Sequence, residues 1–220
     1  MDKKLKITLV RFPKCASSFL HRNFSALLKE GKISDYRSET EYRRFHQGRW
    51  LNTPEDSEVG EWQFISCIRH PVERFFSALF FGEAMLYSDR GCSRTPWEEL
   101  SLEAKIRSFI ESGTLEAKSV HELVSAAPGC YVKHASLLTS MDILIFQDYM
   151  QEGLDKIKEK WNLNITNKIY GGESVVAYRN AFNKDCTSEK QLLKQKYYGP
   201  LEQIFQKDIE TYYFLKNKFS

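Results

Sequence analysis

Two short apolar runs, each followed closely by a helical repeat, constrain this chain more than anything else in it. Lys6 to Phe12 reads KITLVRF, rich in β-branched and aromatic residues, and stops at Pro13 as a buried strand entering a turn does. After Lys14-Cys15-Ala16, Ser17 or Ser18 is placed to cap a helix. Its apolar positions Phe19, Leu20, Phe24, Leu27 and Leu28 recur at helical spacing up to Gly31. Trp62 to Ile68 (WQFISCI) repeats the unit, with Pro71 where a first-turn proline belongs and a helix predicted from Val72 to about Leu86. A third run, Asp142 to Phe146 (DILIF), precedes an amphipathic helix from Gln151 to Trp161. Strands alternating with helices predict an α/β fold of three layers, a mainly parallel sheet with helices on both faces.

Elsewhere the pattern is weaker. Residues 32–60 are polar, charged and weakly periodic, which predicts mostly loop with one short helix near Glu39 to Phe45. Three capping boxes predict helix starts: Thr95 with Glu98, Ser119 with Glu122, and Ser188 with Gln191. From Ser188 to Lys216 two helices are expected, parted near Gly199-Pro200, with Leu201, Ile204, Phe205, Ile209, Tyr212 and Tyr213 as an apolar stripe. No internal repeat or low-complexity linker interrupts the chain, so a single domain is expected across residues 1–220.

Composition excludes several classes. With 42% hydrophobic and 28% charged residues the chain is neither disordered nor collagen-like. The longest apolar stretches, Ile143 to Phe146 and Phe75 to Phe81 broken by Ser77, fall far short of the roughly 20 residues a membrane helix needs. Met1-Asp2-Lys3-Lys4-Leu5-Lys6 runs straight into the first strand, so no secretory signal is expected and the cytoplasm is the expected compartment. Five cysteines without a C-x-x-C pair fit reduced thiols better than disulfides or a zinc site. A net charge of +3 is too small to imply a nucleic-acid partner, but it is uneven. Residues 1–54 hold 12 Lys or Arg against 5 Asp or Glu, so that quarter is +7 and the remainder −4, and an anion site is expected there.

Two segments carry chemistry. In Arg11-Phe12-Pro13-Lys14-Cys15-Ala16-Ser17-Ser18-Phe19-Leu20, a strand turns tightly into a helix, which aims unpaired amides and the positive end of the helix dipole at one spot. Lys14 adds a mobile charge there, and Ser17 and Ser18 add hydroxyls. In Ile65-Ser66-Cys67-Ile68-Arg69-His70-Pro71-Val72-Glu73-Arg74-Phe75-Phe76-Ser77, Arg69 lies at the carboxyl end of a predicted strand, where ligands bind in open α/β sheets. Ser77 follows on the helix, and a guanidinium with a hydroxyl suits a phosphate. Taken singly, each segment is equally an ordinary strand-to-helix corner with capping serines and solvated cations.

In order and form, P-K-C-A-S-S-F-L and R-H-P-V-E-R-F-F-S resemble the two nucleotide-binding elements of sulfotransferases that use 3′-phosphoadenosine 5′-phosphosulfate (PAPS). The run from Asp142 to Tyr149, the helix ending Trp161-Asn162-Leu163, and the terminal helix with Asp208 and Tyr212-Tyr213 are also similar, so the resemblance spans residues 6 to 216. Motif order is closest to the glycan 2-O- and 6-O-sulfotransferases and their bacterial relatives. The resemblance implies a P-loop-like fold in which Lys14, Cys15, Ala16, Ser17, Ser18 and Phe19 surround the 5′-phosphosulfate, Lys14 contacting it directly. Arg69 and Ser77 would hold the 3′-phosphate, with Lys133 and His134 approaching the nucleotide on a third loop. The product would be adenosine 3′,5′-bisphosphate, and no metal is expected. Two positions depart from the family: Ala16 stands where many members have glycine, and His70 where an acidic residue is frequent.

Sulfuryl transfer to a hydroxyl also needs a base near the sulfur. Of the five histidines, His46, between the two motifs and 23 residues before Arg69, matches the chain position of the catalytic histidine in those glycan enzymes. Glu41 and Glu61 are the alternatives. Arg43, Arg44 and Arg49 flank His46, a setting for an acidic glycan acceptor or simply a solvated face. The acceptor class implied is a hydroxyl on a sugar, a tyrosyl side chain or a small metabolite.

Three other readings compete. A cysteine-based phosphatase built on Cys15 needs Cys-x5-Arg, but His21 occupies that place and Arg22 comes one too late. A P-loop kinase is disfavoured by the missing G-x-x-x-x-G-K-[ST] glycines. A non-catalytic binder of a phosphorylated nucleotide or anionic polymer would use the same basic first quarter.

Overall fold

The computed structural model describes residues 5–12, 14–40, 62–88, 99–113, 126–165 and 187–220. Four strands form one sheet: β1 (Lys6–Arg11), β2 (Asp35–Thr40), β3 (Trp62–Ile68) and β4 (Ile143–Phe146). All neighbours are parallel, in the order β2-β1-β3-β4. The helices are α1 (Ser17–Lys29), α2 (Pro71–Ser88), α3 (Leu102–Ser112), α4 (Cys130–Lys133), α5 (Ala135–Thr139), α6 (Met150–Trp161), α7 (Thr187–Ile204) and α8 (Gln206–Phe219).

Successive strand side chains point to opposite faces, and both faces of this sheet are apolar. On one, Ile7, Leu9, Ile65 and Ile145 pack against Phe24 and Leu27 of α1 and Leu154 and Ile157 of α6. On the other, Val10, Phe64, Leu144 and Phe146 meet Tyr131 of α4, Leu138 of α5, and Tyr212 and Leu215 of α8. A third cluster joins α2, α3 and α7 through Phe75, Phe76, Phe109, Leu193 and Leu201, with Phe205 beside them. Each such side chain contributes about 1.5–3 kcal/mol on leaving water. The expected parallel α/β architecture, covered on both faces, is therefore present.

Close approach explains one glycine. A Cβ on Gly153 would lie 2.6 Å from Ile145 Cγ2, so α6 reaches β4 only because that position carries no side chain. The end of α1 also follows the sequence. Gly31 adopts φ 67°, its amide donates to the Leu28 carbonyl, and Lys32 donates to that of Leu27, a Schellman closure.

Several expectations need correction. Residues 35–40 are a strand, so neither the loop assignment nor the start of a helix at Glu39 holds; residues 41–45 lie outside the described residues. DYRSET lacks an apolar run because β2 borders the sheet and has only β1 as a described neighbour. The α7 helix runs through Gly199-Pro200, and the break comes at Phe205. Pro200 removes a backbone donor, yet Leu201 and Phe205 are buried against α2, and that packing keeps the helix continuous. Of the stripe, Tyr213 is half exposed.

Capping differs as well. Neither Ser17 nor Ser18 caps α1; the cap position is Ala16, with no side-chain bond. Ser188 lies inside α7 rather than before it. Ser101, not singled out from the sequence, caps α3 by accepting from the Ala104 amide at 3.2 Å. The boxes at Thr95 and Ser119 fall outside the described residues. Among the described residues no helix is long and apolar enough to cross a membrane.

Candidate functional site

The strand order defines where a ligand has room. From β1 the chain places β2 on one side and β3 on the other, so the order reverses between β1 and β3. Open α/β sheets bind ligands in the crevice outside the carboxyl ends of the strands at such a reversal. Arg11 pairs with Cys67 and Ile68 with Phe146, so the strand ends are level. The loop after β1, the Arg69-His70 link after β3 and the turn Gln147–Tyr149 after β4 therefore share one edge.

At the first corner, Lys14 and Ala16 both take left-handed backbone conformations, φ 62° and 59°. A glycine adopts that region without cost, and an alanine does not. Ser17 is buried and its hydroxyl donates to the Phe12 carbonyl at 3.3 Å, so it ties the loop rather than facing outward. Ser18 is exposed and accepts from Arg11 Nη2 at 3.4 Å. Phe19 is buried in the α1 face of the core, and Cys15 is fully buried with Sγ 3.6 Å from the Tyr131 hydroxyl. Cys15 and Phe19 can thus meet a ligand only through backbone. Cys15 is thus not placed at the surface as a phosphatase nucleophile would be. The Phe19 and Leu20 amides both donate to the Ala16 carbonyl, at 3.0 and 3.4 Å, and the Ser17 and Ser18 amides precede the first intrahelical bonds.

The second corner holds its charge by side chains. Arg69 Nη2 donates to Glu73 Oε2 at 3.2 Å, and Lys194 of α7 approaches Glu73 Oε1 at 2.7 Å. Two cations share one carboxylate, which leaves a net +1. Arg69 Nε is buried without a hydrogen-bond partner among the described residues. A buried guanidinium donor left open in this way fits a bound anion. Ser77 is partly buried, one turn beyond Glu73 on α2. His70 stacks on Tyr198 and meets Tyr212 and Tyr213 edge-on. Burial lowers its pKa, Asp148, Glu73 and Glu202 oppose that, and Arg69 adds to it.

Tyr131 joins the two corners. It is 1% exposed; its hydroxyl accepts from the Arg69 amide at 3.1 Å and donates to the Arg69 carbonyl at 2.7 Å, beside the Cys15 thiol. Burial pushes that phenol well above its ordinary pKa, so it stays protonated. Asp208 of α8 is 2% exposed and holds the Tyr131 segment, accepting from the amides of Gly129 (2.5 Å), Tyr131 (2.7 Å) and Val132 (3.3 Å). Arg74, also buried, donates to Cys130 Sγ at 3.1 Å and lies over the rings of Phe12 and Tyr131. On this segment Lys133 is exposed, whereas His134 is buried with its ring 5.8 Å from Phe12. His134 is therefore part of the packing.

Lys14, Ser18 and Arg69 thus follow strand ends on one edge of the sheet, while Ser17, Cys15 and Phe19 are buried there. His46, Glu41, Glu61, Arg43, Arg44 and Arg49 lie outside the described residues, as does His121. Sequence reasoning missed Glu73, Lys194, Tyr131 and the fixing role of Asp208. The Arg69–Glu73 spacing of four residues, across the start of α2, was the available signal for the first; the others are contacts across 60 residues or more. Among the described residues no group of three or more His, Cys, Asp or Glu could hold a metal ion. Compared with family models, curated proteins and solved structures, the chain finds no match in any of the three.

Proposed function

We propose that this chain is a PAPS-dependent O-sulfotransferase with a P-loop-like core, working in the cytoplasm and needing no metal. One observation carries the reading: the Lys14 loop and the Arg69 link lie side by side at the reversal of strand order, tied to each other by Tyr131. The open Nε of Arg69 and the net +1 it shares with Lys194 are the anion-binding features supporting it.

PAPS supplies a sulfuryl group on a phosphate leaving group, and transfer builds negative charge on the bridging oxygen. Lys14 stabilises that charge as a preorganised cation; removing one such donor typically costs about 10²–10³ in rate. The amides of Ser17 and Ser18 and the Ser18 hydroxyl add donors. Arg69, with Ser77 on the helix that follows it, holds the 3′-phosphate, and to do so Arg69 turns part of its fork from Glu73. Lys133, exposed on α4, borders the nucleotide. His46 remains the base that the resemblance implies, and the acceptor is a hydroxyl compound, acidic glycans included.

The test has two stages. Calorimetry with adenosine 3′,5′-bisphosphate, ATP and heparin is expected to give selective binding of the bisphosphate. Labelled PAPS with a pool of hydroxyl acceptors is then expected to give labelled product. Bisphosphate binding without transfer would make the chain a nucleotide binder instead, and no bisphosphate binding would remove both readings.

A further inference from the structure

His70 stands directly after Arg69, at one of the two positions that depart from the resembled family. Its ring is part-buried and stacks on Tyr198 of α7 with centroids 6.1 Å apart, while Tyr212 and Tyr213 of α8 meet it edge-on at 5.6 and 6.2 Å. Nδ1 lies 3.3 Å from the Tyr198 hydroxyl. Carboxylates approach this ring from three elements. Glu73, three residues on along α2, is the acid that Arg69 and Lys194 share. Asp148, from the turn after β4, accepts from the Tyr212 hydroxyl at 3.1 Å, and Glu202 follows Tyr198 by four residues on α7.

With Arg69 as the cation and Tyr198, Tyr212 and Tyr213 as the phenols, these are the charged and titratable groups facing His70. Tyr198 and Tyr212 stay neutral. Burial first, then Glu73 and Glu202, push Tyr198 up to about 12, and burial followed by Asp148 raises Tyr212. The imidazole is the side chain of this group whose ordinary pKa lies between about pH 5 and 8. Burial holds it below its usual value, Asp148, Glu73 and Glu202 oppose that, and Arg69 adds to it. A phosphate dianion on Arg69 alters two of these influences: it offsets the guanidinium charge, and by drawing Arg69 from Glu73 it leaves that carboxylate to the ring.

We propose that His70 is a further determinant of nucleotide binding, one that takes a proton from solvent as the 3′-phosphate arrives at Arg69. The inference rests on the 3′-phosphate reading of Arg69 given above. Once protonated, both ring nitrogens are donors, and Nδ1 donates to the Tyr198 oxygen. The imidazolium then faces Glu73 as Arg69 turns to the phosphate, so the charge lost by that carboxylate is replaced. An acidic residue at this position would instead add negative charge beside the phosphate. Linkage fixes the sign of the pH dependence. Because the nucleotide raises the affinity of His70 for a proton, a proton raises the affinity for the nucleotide by the same factor. Affinity therefore climbs as pH falls through the window between the free and the liganded pKa of His70, and this contribution is absent above it.

The experiment measures binding of adenosine 3′,5′-bisphosphate to wild type, His70→Gln and Asp148→Asn by calorimetry from about pH 8 to about pH 5.5. The ratio of wild-type to His70→Gln affinity cancels the nucleotide's own titration. It is expected to grow about tenfold across that range, the equivalent of a rise of about one unit in the His70 pKa on binding. Asp148→Asn removes a carboxylate that favours the imidazolium, so the same rise should begin at lower pH. NMR titration of the wild-type histidines needs no variant: His70 should titrate below 6.5 in the free protein and about one unit higher with saturating bisphosphate. A His70 pKa that stays put or falls on saturation overturns the inference, as does an affinity ratio that is constant with pH. Both results leave the sulfotransferase reading standing. Wild type that binds no bisphosphate anywhere in this range overturns the Arg69 assignment and the inference together.

Discussion

The two strand-to-helix corners present cations at one edge of the sheet by different means. The first, from Phe12 to Ser18, works through backbone: two left-handed residues and a buried serine tying the turn into the start of a helix. The second, from Ile68 to Ser77, has a proline-started helix and works through side chains, Arg69 and Lys194 sharing Glu73. A backbone site is fixed by conformation and answers to residue shape. A side-chain site answers to charge, and because these ion pairs are partly exposed, to salt as well.

Lys14→Ala breaks the comparison most sharply. It is expected to reduce sulfuryl transfer about 10³-fold while bisphosphate affinity changes by no more than a few fold, measured by turnover and calorimetry. Arg69→Ala should do the reverse. Loss of a charged hydrogen bond is worth about 1.5–3 kcal/mol, so bisphosphate affinity should fall by about 10- to 100-fold. Glu73→Gln should tighten binding several fold in low salt, with the gain vanishing as salt rises; unchanged affinity would mean that Glu73 does not compete with the phosphate.

Tyr131→Phe tests what joins the corners. It leaves the part-buried Arg69 amide without its partner, at a cost of about 1–3 kcal/mol. Melting temperature should fall by about 2–4 °C per kcal/mol, and both transfer and binding should weaken. At Ala16, glycine removes the left-handed penalty but adds chain entropy, for a net gain of about 0.5–1 kcal/mol. A higher melting temperature with unchanged affinity is the expected result, whereas the same substitution at Ala26, inside α1, should lower it.

The smallest effect concerns pH. The folded-state pKa of His70 lies below its ordinary 6.5, so the unfolded chain binds its proton more readily. Its contribution is then fully present above about pH 6.5 and is lost as pH falls toward the folded value. His70→Gln should flatten that part of the stability curve, as read by denaturant melts from pH 7.5 to about pH 5.

What the sequence disclosed depended on range. β1, β3, β4 and the helices after them carry strong periodicity because each buries a face, and a strand's carboxyl end is legible wherever the strand is. Lys14 and Arg69 could therefore be paired from the chain alone. β2 escaped notice because only one of its sides has a described neighbour and its residues are polar. Pro200 misled because the local rule for proline was outweighed by the burial of Leu201 and Phe205. The serines were recognised by type, but which hydroxyl turns inward depends on the Phe12 carbonyl, a detail of loop geometry. Tyr131 and Asp208 carry no local signature at all, since each acts on a segment more than 60 residues away.

The Asp208 contacts bear on how the protein is made. A ribosome delivers both corners within the first third of the chain, yet the carboxylate that holds Tyr131 in place is not synthesised until residue 208. Nascent chains that stop between residues 194 and 208 contain Lys14, Arg69 and Lys194 without the carboxylate that fixes Tyr131. The proposed nucleotide affinity should consequently arise only late in translation, once residue 208 is in place.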